Sequence, residues 1–73
     1  MNANETIREV LKRENVSTER ASAMLGKNRS YVSVLLSRGS DPRVATLVQL
    51  CDALDYELVM RSCSDGYEFT IGP

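Results

Sequence analysis

Arg29, Ser30, Ser33 and Val34 stand close together, interleaved with the apolar Val32, Leu35 and Leu36. On a helix over residues 29–38 the apolar three share one face. The other four then face outward near the helix start. Side chains of these types can read base edges in a DNA major groove. An arginine fork matches guanine O6 and N7, a serine hydroxyl bonds several partners, and a valine methyl can touch the methyl of thymine. Phosphate contact is the rival role for Arg29. A partly exposed place beside the core is the rival for Val34. Thr18, Lys27, Asn28, Tyr31, Arg38, Ser40 and Arg43 flank the segment with cations and hydrogen-bond donors of the kind that hold phosphates. Each alone reads as solvated surface; their clustering makes the case.

Other chemistries find no support. Histidine is absent, so the commonest general base is missing. The carboxylates are scattered over helical surfaces, and no glycine-rich loop follows a strand to cradle phosphate. No cluster has metal-ligand spacing. Neither Cys51 nor Cys63 has an activating neighbour that sequence identifies. The expectation is no catalytic residue, no metal and no cofactor.

The elements that must position Arg29 begin at Ser17. Ser17 is the expected N-cap of a short helix from Thr18 that buries Ala21, Met24 and Leu25. Gly26 follows it, where a sharp turn needs positive φ. Asn28 caps the next helix, which buries Val32, Leu35 and Leu36. Ser22 is small enough to let the two helices approach. Two short helices hinged on glycine form a helix-turn-helix, whose second helix enters the major groove. Upstream, Asn4 to Glu14 reads as a helix capped by Asn4, with Ile7, Val10 and Leu11 on one stripe. Downstream, a helix runs from Pro42, which suits a first helical position, to Leu54. Its wide stripe is Val44, Leu47, Val48, Leu50, Cys51 and Leu54.

The period changes after Leu54. Tyr56, Leu58 and Met60 alternate with Glu57, Val59 and Arg61. Asp65-Gly66 predicts a two-residue type I′ hairpin turn. That turn pairs Met60 with Ile71, Ser62 with Phe69 and Ser64 with Tyr67. One hairpin face is then apolar: Tyr56, Leu58, Met60, Tyr67, Phe69 and Ile71. A lone hairpin is marginal in water, so this face must cover its own helices, a second subunit or another protein.

With 73 residues the chain buries only about 60% of its unfolded surface and is marginal alone. The net charge of -1 conceals a separation. Through Arg43, eight basic side chains against five acidic ones give +3; from Val44 onward, one against five gives -4. A cationic half can meet phosphate while an acidic half points away. Cys51 and Cys63 read as reduced, buried thiols, Cys51 in the helical stripe and Cys63 in a strand. The polar, acidic N-terminus does not read as a signal peptide, and no apolar run is long enough to span a bilayer. A cytoplasmic protein without a membrane partner is expected.

Thr18, Ala21, Ser22, Leu25-Gly26, Arg29-Ser30, Val32-Ser33, Leu35, Thr46-Leu47 and Ala53-Leu54 together resemble the Cro/repressor-type (XRE) helix-turn-helix regulators. The resemblance covers roughly Thr6 to Leu58. Lys27 departs from it, standing where the family usually has an apolar residue. Gly39 falls about one position late. Thr18 replaces a usual glutamine. The resemblance implies a mostly α fold: a four-helix lambda-repressor-like bundle, with the DNA-binding domain at 4–55. The C-terminal β-hairpin at 56–73 would be the dimerisation element. It implies a sequence-specific regulator, without enzymatic activity, that binds double-stranded DNA as a homodimer on a two-fold operator. A strand after such a bundle also resembles antitoxins, which hold a toxin protein. A protein-interaction module that has lost DNA binding is the remaining alternative.

Overall fold

Asn2 starts the first helix of the computed structural model, which describes residues 1–72. Its side chain accepts the Glu5 N–H at 2.8 Å and so caps α1, Ala3–Glu14. Asn4, the expected cap, lies one residue inside α1 and is half-buried. Its amide is engaged elsewhere, donating long bonds of 3.4 Å to the carbonyls of Arg38 and Ser40. Ser17 caps α2, Thr18–Met24, as expected, accepting from the Arg20 N–H at 3.0 Å. Next come α3, Tyr31–Ser37, α4, Val44–Leu54, and a hairpin of β1, Leu58–Arg61, and β2, Glu68–Ile71. Four helices and a hairpin form the expected, mostly helical class.

Three helices end in the same way. After α1, the N–H of Val16 reaches Leu11 O and that of Asn15 reaches Lys12 O. After α2, Lys27 reaches Ser22 and Gly26 reaches Ala23; after α4, Tyr56 reaches Cys51 and Asp55 reaches Asp52. Each closure needs one left-handed residue. Those residues are Asn15, Gly26 and Asp55, at φ 55°, 69° and 62°. A Cβ built on Gly26 would meet no atom within 4 Å. Gly26→Ala therefore carries only the backbone cost of positive φ, about 1–2 kcal/mol. Urea titration should show a lower midpoint with an unchanged m-value.

The chain separates into two compact units, residues 1–43 and residues from Val44 onward. In the first, Ile7 and Leu11 of α1, Ala21 of α2 and Val32, Leu35 and Leu36 of α3 are buried. Met24, expected inside, is 42% exposed. The buried face of α2 is rotated by one position because Ser22, fully enclosed, takes the inner place. The third helix starts at Tyr31, after a turn at Arg29-Ser30 in which the Tyr31 N–H reaches Asn28 O at 3.1 Å. Asn28 still caps this turn: its side chain accepts from the Ser30 N–H at 3.1 Å.

In the second unit α4 begins at Val44, so Pro42 precedes the helix rather than opening it. Val44, the first residue of the helix, is exposed, while Leu50 is buried and Leu47, Val48, Cys51 and Leu54 are half-buried. Strand β1 lies against α4.

The hairpin register differs from the expected one. Leu58 pairs with Ile71, Val59 with Thr70, Met60 with Phe69 and Arg61 with Glu68. The slip is two residues, so every side chain keeps its expected face. The cause is the turn. A type I′ turn needs positive φ at both central positions, and of Asp65 and Gly66 only Gly66 has it, at 78°. A longer loop closes instead, with the Ser62 N–H on Tyr67 O at 2.8 Å and the Gly66 N–H on Ser62 O at 2.9 Å. The Asp65 carboxylate accepts the Tyr67 N–H at 3.0 Å. That bond, followed by one from Ser62, holds its carboxyl below the usual range. Cys63, expected in a strand and buried, lies in this loop and is exposed. Both thiols are free, and burial, with Asp52 beside it, pushes that of Cys51 upward. Pro73, the end of the expected hairpin segment, lies outside the described residues.

Candidate nucleic-acid interface

Ser22 fixes α3 against α2. Its hydroxyl donates to Thr18 O at 2.8 Å and accepts the Val32 N–H at 2.9 Å. Val32 is in the first turn of α3, where backbone N–H groups have no partner within the helix. One buried side chain of α2 thus supplies a cap to the next helix. The other end of α3 is held from α1. The Arg8 guanidinium donates to Leu36 O at 3.1 Å, where a cation suits the negative end of a helix. Asn4 adds its two long bonds just beyond. Both ends of α3 are therefore tied to other helices of the same unit, and its outer face is left to solvent.

That outer face and the turn leading into it carry the expected residues. Arg29, Ser30 and Ser33 are exposed, and Val34 is 47% exposed. The Ser30 hydroxyl donates to Asn28 Oδ1 at 2.9 Å and the Ser33 hydroxyl to Ser30 O at 3.0 Å. Both hydroxyls are exposed and keep acceptor capacity for a further partner. In a major groove these suit the amino groups of adenine and cytosine, while Arg29 suits guanine.

The flanking residues are placed unevenly. Asn28, Ser30, Tyr31, Val34 and Arg38, with Leu35, line a groove of about 240 Å³. Lys27 Nζ sits 5.5 Å from the centre of the Tyr31 ring. A cation over an aromatic face thus stands where the family usually has an apolar residue. Arg38, Ser40 and Arg43 are exposed beyond the end of α3, and Thr18 is half-buried at the start of α2. All of the residues expected to touch DNA lie in the first unit, whose net charge is the positive one.

Sequence reasoning missed Arg8, Asn4 and Glu19. Arg8 enters the sequence reading only through the charge balance of the first half, yet it closes α3. Glu19 lies 3.4 Å from the Arg29 guanidinium. A carboxylate ten positions before an arginine carries no sequence signal until the two helices are folded together. Ser22 was read for its size; its hydroxyl on the inner face was the available clue.

A clasped short helix with a polar outer face, flanked by the exposed cations Arg29 and Arg38 and preceded by a glycine-turned helix, is the arrangement of a DNA-binding helix-turn-helix. A helix-turn-helix family model matches residues 7–60. The chain belongs to the Cro/repressor-type (XRE) helix-turn-helix family of DNA-binding regulators. No curated protein and no solved structure matches it significantly. Among the described residues, no helix is long and apolar enough to cross a membrane.

Proposed function

We propose that this protein is a sequence-specific transcriptional regulator that binds a two-fold operator as a homodimer, with half-sites about 34 Å apart. The observation that carries the reading is the clasp on α3, which leaves Ser33 and Val34 outward on a helix tied at both ends and Arg29 and Ser30 exposed in the turn that leads into it. Arg29, Ser30, Ser33 and Val34 contact bases. Thr18, Lys27, Asn28, Tyr31, Arg38, Ser40 and Arg43 hold phosphates and fix the register of α3. Regulation is by occupancy: the bound dimer blocks or recruits polymerase without chemistry. The hairpin face of Tyr56, Leu58, Met60, Tyr67, Phe69 and Ile71 joins the subunits. Its exposed Tyr67–Phe69 pair, with ring centres 5.0 Å apart, also favours a second reading, an antitoxin whose hairpin holds a toxin protein.

Gel shift against fragments of the host genome tests the reading. The wild-type protein should select a fragment and lose affinity steeply between 50 and 200 mM salt, by roughly 10³-fold, as counterions are released. Arg29→Ala should weaken the selected site by about 10–100-fold, with an unchanged circular dichroism spectrum. A wild-type protein that retains no fragment at low salt would overturn the DNA reading and leave a protein-interaction module.

A further inference from the structure

Resting on that DNA reading, we propose that Glu19 is a specificity-determining residue: its carboxylate holds Arg29 off the phosphate backbone and aims it at a guanine. Arg29 Nη2 lies 3.4 Å from Glu19 Oε1, and the two side chains are 81% and 64% exposed. Their carriers are fixed. Glu19 stands in the first turn of α2. Arg29 lies in the turn that Asn28 caps, and the Ser22–Val32 bond joins α2 to α3. Only the rotamers of the two side chains remain free.

An exposed ion pair of this kind adds little to stability. Its consequence is orientation. An unpaired arginine on a long, flexible stem meets the nearest anion, which on DNA is a phosphate. A carboxylate engaging Nη2 restricts the stem and leaves the rest of the guanidinium fork for guanine O6 and N7. An arginine already held loses less rotamer entropy on binding. The same carboxylate repels phosphates that approach the helix in a wrong register. It therefore weakens non-specific binding more than specific binding, and specificity is that difference.

Selection of binding sites from randomised duplex DNA tests this with the full chain as wild type, Glu19→Gln and Arg29→Ala. The wild type should prefer guanine at one position per half-site by about 10-fold or more. Arg29→Ala should lose the preference at that position. Glu19→Gln should reduce it to about threefold or less, while binding a non-cognate duplex several-fold more tightly and melting at the wild-type temperature. Full guanine preference in Glu19→Gln, at the position that Arg29→Ala loses, would overturn the role of Glu19 and leave the DNA reading intact. So would loss of all DNA binding by Glu19→Gln. A wild type with no base preference anywhere would overturn both.

Discussion

Ser22→Ala should lower the melting temperature by about 5–20 °C, the largest loss expected from any single methyl-sized change in the first unit. The chain has 73 residues, and a domain of this size holds only about 4–11 kcal/mol of stability. Ser22 is fully enclosed, with both of its partners in the backbone. Alanine keeps the packing but removes the acceptor of the Val32 N–H. That donor is in the first turn of α3, against a side chain closed to solvent, and leaving it unpaired costs about 1–3 kcal/mol. Each kcal/mol lowers the transition by about 4–8 °C in a domain this small. Ser37 provides the control. Its hydroxyl donates to Val34 O from an exposed position, so Ser37→Ala should move the transition hardly at all. Thermal melts of the two variants side by side decide the matter. Equal shifts would mean that the Ser22 bridge contributes nothing beyond a surface hydroxyl. Because that bridge also fixes the start of α3, Ser22→Ala should weaken DNA binding even at temperatures where it stays folded.

The elements of this fold were legible where one local signal decides one local outcome. Ser17 announced α2, and Gly26 announced its end. The inner stripe of Val32, Leu35 and Leu36 located α3 and, by subtraction, the outward placement of Arg29, Ser30 and Ser33. What stayed hidden depends on partners distant in sequence. Asn4 reads as a cap from its type and place, but its amide is drawn to carbonyls of Arg38 and Ser40 that only folding brings near. Arg8 is one more surface cation until Leu36 O stands before it. The left-handed closures at Asn15 and Asp55 use the second-choice residues for positive φ, and neither is as distinctive as glycine. The hairpin is a further case. Asp65-Gly66 marks a reversal correctly, but the loop closes around Ser62 and Tyr67 instead, and the hydrophobic alternation cannot distinguish registers two residues apart.

Charging the apolar hairpin face should convert the protein to a monomer and abolish operator binding. Met60 and Phe69 are directly paired across the strands and both are 68% exposed; Tyr67, on the same face, is 63% exposed. Three large apolar side chains in one exposed patch mark an association surface more often than a solvated one. Aromatic residues of this kind carry most of the energy of an interface. If the face joins two subunits, Met60→Glu with Phe69→Glu places carboxylates against apolar surface on both sides of the dimer. Each anchor occurs twice in a two-fold dimer, so a loss of about 2 kcal/mol at each raises the dissociation constant of the dimer by about 10⁶-fold. The fold of each subunit should survive, because neither side chain is buried within its own chain. Analytical ultracentrifugation should show a dimer for the wild type and a monomer for the double variant, with the circular dichroism of the helices retained. On a two-fold site the monomer holds one half-site only, so affinity falls while the base preference at Arg29 persists. Pairing of strand edges predicts otherwise, since edge pairing uses backbone groups that these substitutions leave in place. A double variant that still sediments as a dimer would therefore exclude face packing and transfer the association to the hairpin edge or to another surface.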